Sequence, residues 1–291
     1  AQDETEVFAN DSKKKIYMHW MYDVPMGEQL DDDGDSLESI EGCLTDAQYN
    51  RDEHRKAVID DILDNWVSQS HNGKFHAILA TSSIPEAIKY YKLFAQRDCG
   101  LKTTAVFDPS DGNNESSIEK IDGIAQMLED YNSLFGTCFN ISGYASFKRD
   151  VCARLAHKTP YTAVENEPSK CLDILIVVDQ MLTGYDSKWL NTLYMDKFYK
   201  WSNIEMIIQA FSRTNRVFND DKPHGIIRYY RRPYTMKNII EYAFEQYSGQ
   251  KPYGIFVAKL IQNLENMNAA FSDINDIFKI AGIPDFFKTS R

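Results

Sequence analysis

Residues 172–179 read Leu-Asp-Ile-Leu-Ile-Val-Val-Asp, and positions 174–178 within them form the longest strictly apolar run of the chain. A continuous run rich in β-branched side chains is typical of a strand that is covered on both faces in a parallel sheet. The run therefore predicts a buried strand, which we expect at the centre of the sheet.

Further strands alternate with helices on both sides of this run. Strands are predicted at residues 75–82, 103–108, 192–196 and 225–231, and helices at 52–68, from Pro85 onward, at 116–135, 147–156 and 204–218. This alternation favours βαβ units, and hence an α/β fold with a mainly parallel sheet flanked by helices. Residues 236–247, 255–270 and 272–281 are predicted as helices and indicate a second, helical unit.

Three regions follow from this pattern. Residues 1–45 are a polar and acidic lead-in, residues 46–234 the α/β domain, and residues 235–291 the start of a helical domain. Within the lead-in, the Gly- and acid-rich stretch 27–45 is expected to be a solvated loop or a disordered insertion without a site. The chain begins with Ala1 and a polar stretch, so we expect it to be part of a longer polypeptide.

Charge, apolar runs and cysteines narrow the class of protein. A net charge of −11 has the wrong sign for a surface that attracts nucleic acid everywhere, so any DNA contact must be local. No apolar run approaches the roughly 20 residues of a membrane span and no signal peptide is evident, which predicts a soluble, cytoplasmic protein. The five cysteines are odd in number and widely spaced, which favours reduced thiols over disulfides or a zinc site.

The segment from Ser202 to Arg216 reads S-N-I-E-M-I-I-Q-A-F-S-R-T-N-R. Ser202 and a glutamate three residues later predict a capping box that begins the helix at 204–218. On that helix Gln209, Arg213 and Arg216, spaced by four and three residues, share one face. Guanidinium groups bind phosphate oxygens in pairs of hydrogen bonds, but periodicity alone favours an ordinary polar helix face.

A second segment, residues 181–186, follows the apolar strand and reads M-L-T-G-Y-D. In open parallel sheets ligands bind beyond the carboxyl ends of strands, where this turn is expected to lie. Gly184 lets backbone amides approach a phosphate, Thr183 offers a hydroxyl, and Asp186 accepts from a ribose or orients an arginine. A plain glycine turn before a helix explains the segment equally well.

Two further segments suggest an anion or a nucleic acid. Thr81, Ser82 and Ser83 precede a predicted helix and form a candidate anion site, although capping of that helix explains them better. Basic and aromatic residues alternate near the end of the α/β domain and suggest either a nucleic-acid backbone contact or a solvated strand edge; they are Arg228, Tyr229, Tyr230, Arg231, Arg232 and Tyr234. The sequence contains no G-x-x-x-x-G-K-[ST] phosphate loop and no common hydrolase or metalloprotease motif.

Four segments together resemble one family. They are A-I-L-A-T-S-S-I-P-E-A-I-K-Y-Y at 77–91, I-L-I-V-V-D-Q-M-L-T-G-Y-D at 174–186, L-N-T-L-Y-M-D-K at 190–197 and I-Q-A-F-S-R-T-N-R at 208–216. In order and spacing they resemble the C-terminal motor half of the R subunits of type I restriction enzymes, over residues 51–232. One segment alone would indicate only a superfamily-2 helicase lobe.

The resemblance implies a second RecA-like lobe, with ATP bound in a cleft between it and a first lobe. Carried over by motif, the implied catalytic arginine pair is Arg213 and Arg216, and the implied cofactor-binding residues are Gly184, Asp186 and Gln209. The implied DNA-backbone contacts are Thr81, Ser82, Ser83 and Thr183. Ordinary helicases have Q-x-x-R-x-x-R where this chain has Q-x-x-x-R-x-x-R, a departure that favours the restriction family.

The implied activity is ATP-driven translocation of double-stranded DNA before cleavage by a nuclease domain outside this chain. ATP and Mg²⁺ are then cofactors of the full-length subunit, and none is expected to be bound by this fragment, which should be inactive alone. The implied partners are double-stranded DNA, the methyltransferase and specificity subunits, and the first lobe and nuclease domain of the same polypeptide. The alternatives are a non-restriction superfamily-2 translocase lobe, or a non-catalytic docking module.

Overall fold

A computed structural model of the chain describes residues 10–31, 33–97, 99–107, 117–178, 185–218, 220–247 and 260–280. Its strands are β1 (His76–Thr81), β2 (Thr103–Val106), β3 (Ile174–Val177), β4 (Leu190–Asp196) and β5 (Ile226–Tyr229). They form one sheet in the order β2-β3-β1-β4-β5, and every pairing is parallel. This confirms the predicted fold class, a parallel sheet flanked by helices of the RecA-like type.

The middle strand of the sheet is β1, not the apolar run around β3. Ala77 of β1 is in register with Ile174 of β3 on one side and with Thr192 of β4 on the other. All residues of β1 and β3 are buried, so both are interior strands. The prediction that the β3 run lies at the centre was wrong, because full burial identifies an interior strand without telling which interior position it takes.

The described residues also form helices in both compact units of the chain. They are α1 (Asp11–Met18), α2 (Asp52–Gln69), α3 (Ile84–Gln96), α4 (Ser117–Phe135), α5 (Tyr144–Leu155), α6 (Ile204–Phe211), α7 (Pro233–Tyr247) and α8 (Leu260–Ile280). Helix α2 buries Val58, Ile59 and Ile62 on one face, as its spacing predicts. Helix α8 replaces the two helices predicted at 255–270 and 272–281, because no proline or glycine interrupts residues 260–280.

The chain divides into two compact units, Ala1–Ile240 and Glu241–Arg291. The first unit contains the whole sheet, and the second contains α8. None of the described helices combines the length and apolarity that a bilayer span requires. The five cysteines are free thiols.

The N-terminal segment (residues 27–45) packs against the start of α7 instead of forming only a solvated loop. The buried carboxylate of Glu41 accepts hydrogen bonds from the backbone N–H of Tyr234 (3.1 Å) and of Thr235 (2.7 Å). A Cβ on Gly27 would lie 2.5 Å from the carbonyl carbon of Tyr234, so only glycine fits there. The described acidic residues between positions 31 and 38 are exposed, as predicted. Composition predicts that exposed tip, but it cannot reveal a helix N-terminus about 190 residues away in sequence.

Candidate functional site

Helix α6 is shorter than predicted and begins without a capping box. A 3₁₀ turn at Trp201–Asn203 precedes it, and the N-cap residue Asn203 makes no side-chain capping bond. The Ser202 hydroxyl bonds to the Asn203 side chain (2.7 Å) instead of capping the helix. The predicted capping box with Glu205 was therefore wrong, because the turn moves the start of the helix one residue on.

The helix also ends at Phe211, not at position 218. The Ser212 hydroxyl donates to Gln209 O (2.7 Å), and the N–H of Arg213 bonds to Ala210 O (3.1 Å), three residues back. Hydroxyl bonds of this kind compete with helical hydrogen bonding, and i to i−3 bonds tighten and end a helix. Arg213 and Arg216 consequently lie in a loop rather than on a helix face shared with Gln209. We call residues 212–225 the arginine loop.

The arginine loop meets the segment that carries Asp186. Arg213 Nη1 donates to Tyr185 O at 3.1 Å, and Arg216 Nε forms an ion pair with the Asp186 carboxylate. The Arg213 side chain is half-buried, whereas those of Arg216 and Asp186 are 61% and 50% exposed. The structure thus brings together three of the predicted site residues, Asp186, Arg213 and Arg216.

The other predicted residues of this site are not brought into the contact. Gln209 is exposed on α6, and in the described part of the chain its side chain makes no hydrogen bond to Asp186 or to either arginine. Thr183 and Gly184 lie outside the described residues.

This site lies at the amino ends of the strands. The Tyr185 hydroxyl is 3.1 Å from His76 Nε2, and His76 is the first residue of β1. The prediction that the 181–186 segment lies beyond the carboxyl ends was therefore wrong for the described residues, Tyr185 and Asp186. Because β3 and β4 run in the same direction, the chain must return to the amino ends of the strands before β4 starts at Leu190. Tyr185, five residues before Leu190, already lies at the amino ends.

The Tyr185 and His76 side chains are both buried and uncharged. Burial lowers the pKa of His76 to about 3, with smaller contributions from the charges of His157 and Lys222. Burial likewise raises the pKa of Tyr185 above its ordinary value. The bond between them is therefore a neutral one, and it fixes the segment before Asp186 to the end of β1.

Close packing seats the arginine loop. Thr214 is buried, and a Cβ on Gly225 would lie 2.4 Å from the Thr214 Cβ, so the loop closes on itself only with glycine there. The ring of Phe218 packs against the rings of Phe75 and Trp189, at centroid distances of 5.6 and 4.6 Å. Sequence reasoning missed Gly225, which it placed as the first residue of the predicted strand 225–231, although a glycine at that position is a turn signal.

The predicted hydroxyl cluster lies at the opposite, carboxyl end of β1. Thr81 is fully buried, and its Oγ1 lies 3.2 Å from Val177 O and 3.3 Å from Ser83 O. The hydroxyl of Ser83 caps α3 by accepting from Glu86 N at 3.4 Å, which confirms the simpler interpretation. Ser82 is exposed. The Thr81 hydroxyl is used inside the protein, so of the three it is Ser82 that best offers a contact to an external phosphate.

Arg231 belongs to the core and not to a basic surface. Its side chain is 3% exposed and donates to both carboxylate oxygens of Asp196, at 2.9 and 3.0 Å. His54 Nε2 (2.7 Å) and the Tyr90 hydroxyl (2.9 Å) also contact this carboxylate. Burial alone would raise the pKa of Asp196, but the hydrogen bonds from His54 and Arg231 outweigh it and hold that pKa below its ordinary value.

The neighbouring arginines also have partners within the protein. Arg228 Nη2 donates to Asp61 Oδ1 (2.6 Å), which lies on α2, and Arg232 Nη2 donates to Leu44 O (2.7 Å). Both side chains are half-buried and take part in contacts within the protein, so neither is a fully solvated charge. Elsewhere, no group of three His, Cys, Asp or Glu side chains in the described ranges is placed to hold a metal ion.

Comparison with known proteins places these features in a family. The family model for domain 3 of the type I restriction enzyme subunit R matches residues 73–232, which span all five strands and both edges described above. The chain is 32% identical over 213 residues to the type I restriction enzyme SsaAORF53P endonuclease subunit of Staphylococcus saprophyticus, covering 70% of this chain and 22% of that protein. It is 31% identical over 200 residues to the SauMRSORF196P endonuclease subunit of Staphylococcus aureus, covering 66% and 20%.

A shorter match is to a protein of another genus. The type I restriction enzyme HindI endonuclease subunit of Haemophilus influenzae is 42% identical over 60 residues, which are 20% of this chain and 5% of that protein. The chain spans about a fifth of the length of the staphylococcal relatives. It therefore belongs to the family of type I restriction enzyme R subunits, and residues 73–232 correspond to domain 3 of that family.

Proposed function

We propose that this chain is the second motor lobe of an R subunit, and that it couples ATP hydrolysis to translocation of double-stranded DNA before cleavage by a nuclease domain elsewhere in the subunit. The observation that carries the proposal is the meeting of Arg213 and Arg216 with Tyr185 and Asp186 at the amino edge of the sheet. The names of the relatives, which are endonuclease subunits of type I restriction enzymes, support the restriction context.

The arginine pair fits the charge of a nucleotide γ-phosphate. A guanidinium stays protonated at any physiological pH and presents its N–H groups in a planar fork that matches phosphate oxygens. Arg213 is half-buried and oriented by a backbone carbonyl, whereas Arg216 is exposed and oriented by Asp186. In phosphoryl transfer, an arginine placed on the transferred group contributes about 10³ to 10⁵ in rate.

Most of the nucleotide would be held by the other lobe. The chain has no phosphate loop of its own, so in this proposal ATP and Mg²⁺ are bound mainly by the first lobe and meet the arginines across the cleft. Asp186 and Gly184 would line the nucleotide side. Gln209, exposed on α6, would respond to nucleotide without contributing to the arginine contact described above.

The DNA track would run along the opposite edge of the sheet. Ser82 is exposed and Ser83 half-buried at the carboxyl end of β1, and Thr183 follows β3 in sequence. Contacts to phosphates suit a translocase, since they carry no sequence information. The six residues of β1 separate the two edges by roughly 20 Å, so that nucleotide and DNA would not compete for one surface.

The test is ATP hydrolysis by the full-length subunit, with and without double-stranded DNA. We expect Arg213→Ala and Arg216→Ala each to lower kcat by about 10³-fold or more, while nucleotide affinity changes by less than about threefold. Arg149→Ala is the matched control, because Arg149 is an exposed arginine on α5 that bonds to Ser146. Unchanged turnover in both arginine variants would refute a catalytic role for this site.

A docking role for the helical unit has one observation in its favour. Helix α8 exposes apolar side chains at helical spacing, with Met267 48%, Phe271 45% and Ile274 38% exposed. In this proposal that unit binds the methyltransferase subunit, which would let docking and motor functions coexist in one cytoplasmic complex with the specificity subunit. The reading as a non-restriction superfamily-2 lobe is disfavoured by the match to domain 3.

A further inference from the structure

Lys222 is a fully buried lysine near the end of the arginine loop. Its side chain is 0% exposed, and its Nζ lies 2.6 Å from Leu190 O and 3.3 Å from Lys188 O. Leu190 is the first residue of β4, and Lys188 lies two residues after Asp186. Lys222 therefore joins the arginine loop to the same stretch of chain that carries Asp186.

The backbone around Lys222 is also fixed. Its N–H donates to Phe218 O (3.1 Å) and its carbonyl accepts from Phe218 N (3.0 Å), which closes a tight turn two residues after Arg216. The Phe218 ring lies between those of Phe75 and Trp189. A displacement of Lys222 would therefore displace Phe218 and the residues between it and Arg216.

Keeping an ammonium in this place costs free energy. Burial lowers the pKa of Lys222 to about 8, and in the described part of the chain no carboxylate forms an ion pair with it. The Lys222 charge acts on His76, whose pKa is lowered mainly by burial, and Lys188 supplies one of the two carbonyl groups that Lys222 contacts. An apolar side chain of the same length would fill the space without the desolvation cost, so packing alone does not explain a lysine.

We propose that Lys222 is a positioning residue for the arginine pair, and that it holds the arginine loop against residues 188–190 so that Arg213 and Arg216 stay aligned with the nucleotide cleft. This inference rests on the proposed function of the arginines.

The three cationic side chains differ in whether they can exchange their present partners for a phosphate. Arg213 and Arg216 contact Tyr185 O and the Asp186 carboxylate, and each must give up or share that contact when a phosphate arrives. Lys222 is buried and cannot reach a nucleotide in the cleft, so its bonds to the start of β4 persist while the arginines change partners. The loop thereby keeps its place during the reaction, which avoids a reorganisation cost in the transition state.

The first test compares Lys222→Met with Lys74→Met in ATP hydrolysis by the full-length subunit. Lys74 is the matched control, because it pairs with Asp221 (2.5 Å) and lies over the Phe218 ring (5.3 Å), and its ammonium makes no hydrogen bond to β4 within the described residues. We expect Lys222→Met to lower kcat by about 10- to 100-fold with little change in KM for ATP, the size of effect that a misplacement of about 1 Å produces. Lys74→Met should leave kcat unchanged, and Lys222→Arg, which keeps a cationic donor, should restore part of it.

The second test separates positioning from general stability. In the double variant Arg213→Ala/Lys222→Met, kcat should stay within about threefold of that of Arg213→Ala alone, because Lys222 acts through the arginines. Independent, multiplying losses would overturn the inference. Lys222→Gln, which keeps an N–H donor, is measured in the same way and replaces Lys222→Met if the latter does not fold.

A measurement without turnover distinguishes the two proposals. Amide hydrogen exchange should become faster in residues 212–225 of Lys222→Met and stay unchanged in the buried strand β1. If Arg213→Ala abolishes turnover and Lys222→Met does not, the inference about Lys222 fails and the proposed function stands. If Arg213→Ala has no effect, the proposed function fails, and unaltered exchange in 212–225 would then also refute the hold that Lys222 has on the loop.

Discussion

Replacing Glu41 by alanine should destabilise the α/β unit, although Glu41 lies in a segment whose composition predicts a solvated loop. Glu41 is 3% exposed, and its carboxylate accepts hydrogen bonds from two backbone N–H groups in the first turn of α7. It does there what an N-cap side chain does, with the addition of a negative charge at the positive end of the helix dipole.

The expected magnitude follows from these two bonds. A hydrogen bond to a charged acceptor contributes about 1.5–3 kcal/mol, and the loss of an N-cap costs about 0.5–2 kcal/mol. Thr235 is fully buried, so its amide loses its partner without gaining water, whereas Tyr234 is 53% exposed and its amide can be hydrated. One full penalty and one partial penalty give about 3 kcal/mol, which corresponds to a fall in Tm of roughly 6–12 °C for a unit of this size.

The assay is thermal unfolding of the chain followed by circular dichroism, with amide exchange at Tyr234 and Thr235 as the local readout. Glu38→Ala is the matched control, since Glu38 lies in the same segment and is 59% exposed. We expect its Tm to equal that of the wild type, and Glu41→Gln to fall between the two glutamate-to-alanine variants. Equal Tm values for Glu41→Ala and Glu38→Ala would refute the packing of this segment on α7.

Three further predictions concern residues near the ends of the strands. Gly225→Ala should displace the arginine loop, because the new Cβ would meet Thr214 at 2.4 Å; we expect a loss of about 1–3 kcal/mol in urea unfolding and lower ATP turnover. Asp196→Asn should cost about 3–5 kcal/mol at neutral pH, because it leaves Arg231 buried without its counter-charge. Since the pKa of Asp196 is lowered in the folded state, its contribution is present above about pH 4 and lost on further acidification, and the gap between wild type and variant should close there. The pKa of Lys222 is lowered to about 8, so between pH 8 and about 10.5 the folded state binds fewer protons than the unfolded state. The unfolding free energy of the wild type should therefore rise across that window by at most about 3 kcal/mol relative to that of Lys222→Met. A difference in unfolding free energy that does not change with pH would contradict the burial cost assigned to Lys222.

Local sequence pattern predicted the secondary structure well where burial decides it. The strand predicted at 75–82 is observed at His76–Thr81, and the helix predicted at 52–68 is observed at Asp52–Gln69. Both elements present a clear apolar pattern to the core, and their ends carry turn or polar residues. The position of β3 within the sheet was not predictable in this way, because pairing order depends on which strands meet and not on how apolar each one is.

The resemblance named three residues that the structure brings together, but the geometry of their contact was not predictable. The resemblance identified Asp186, Arg213 and Arg216, which meet in the structure, whereas periodicity extended α6 through residues that form a loop. Glu41 and Lys222 escaped prediction because their partners are backbone N–H and carbonyl groups far away in sequence. Every residue carries such groups, so the identity of the partner leaves no sign in the sequence.

The middle strand β1 has His76 at one end, beside the arginine site, and Thr81 at the other, beside Ser82, and every one of its residues is buried. A fully buried strand with a paired neighbour on each side is packed as densely as an organic crystal and is barely compressible. The distance between the two ends of β1 is therefore fixed, and the domain is rigid along the direction of this strand. In the proposed motor, any movement of the DNA contact would therefore come from displacement of the whole domain.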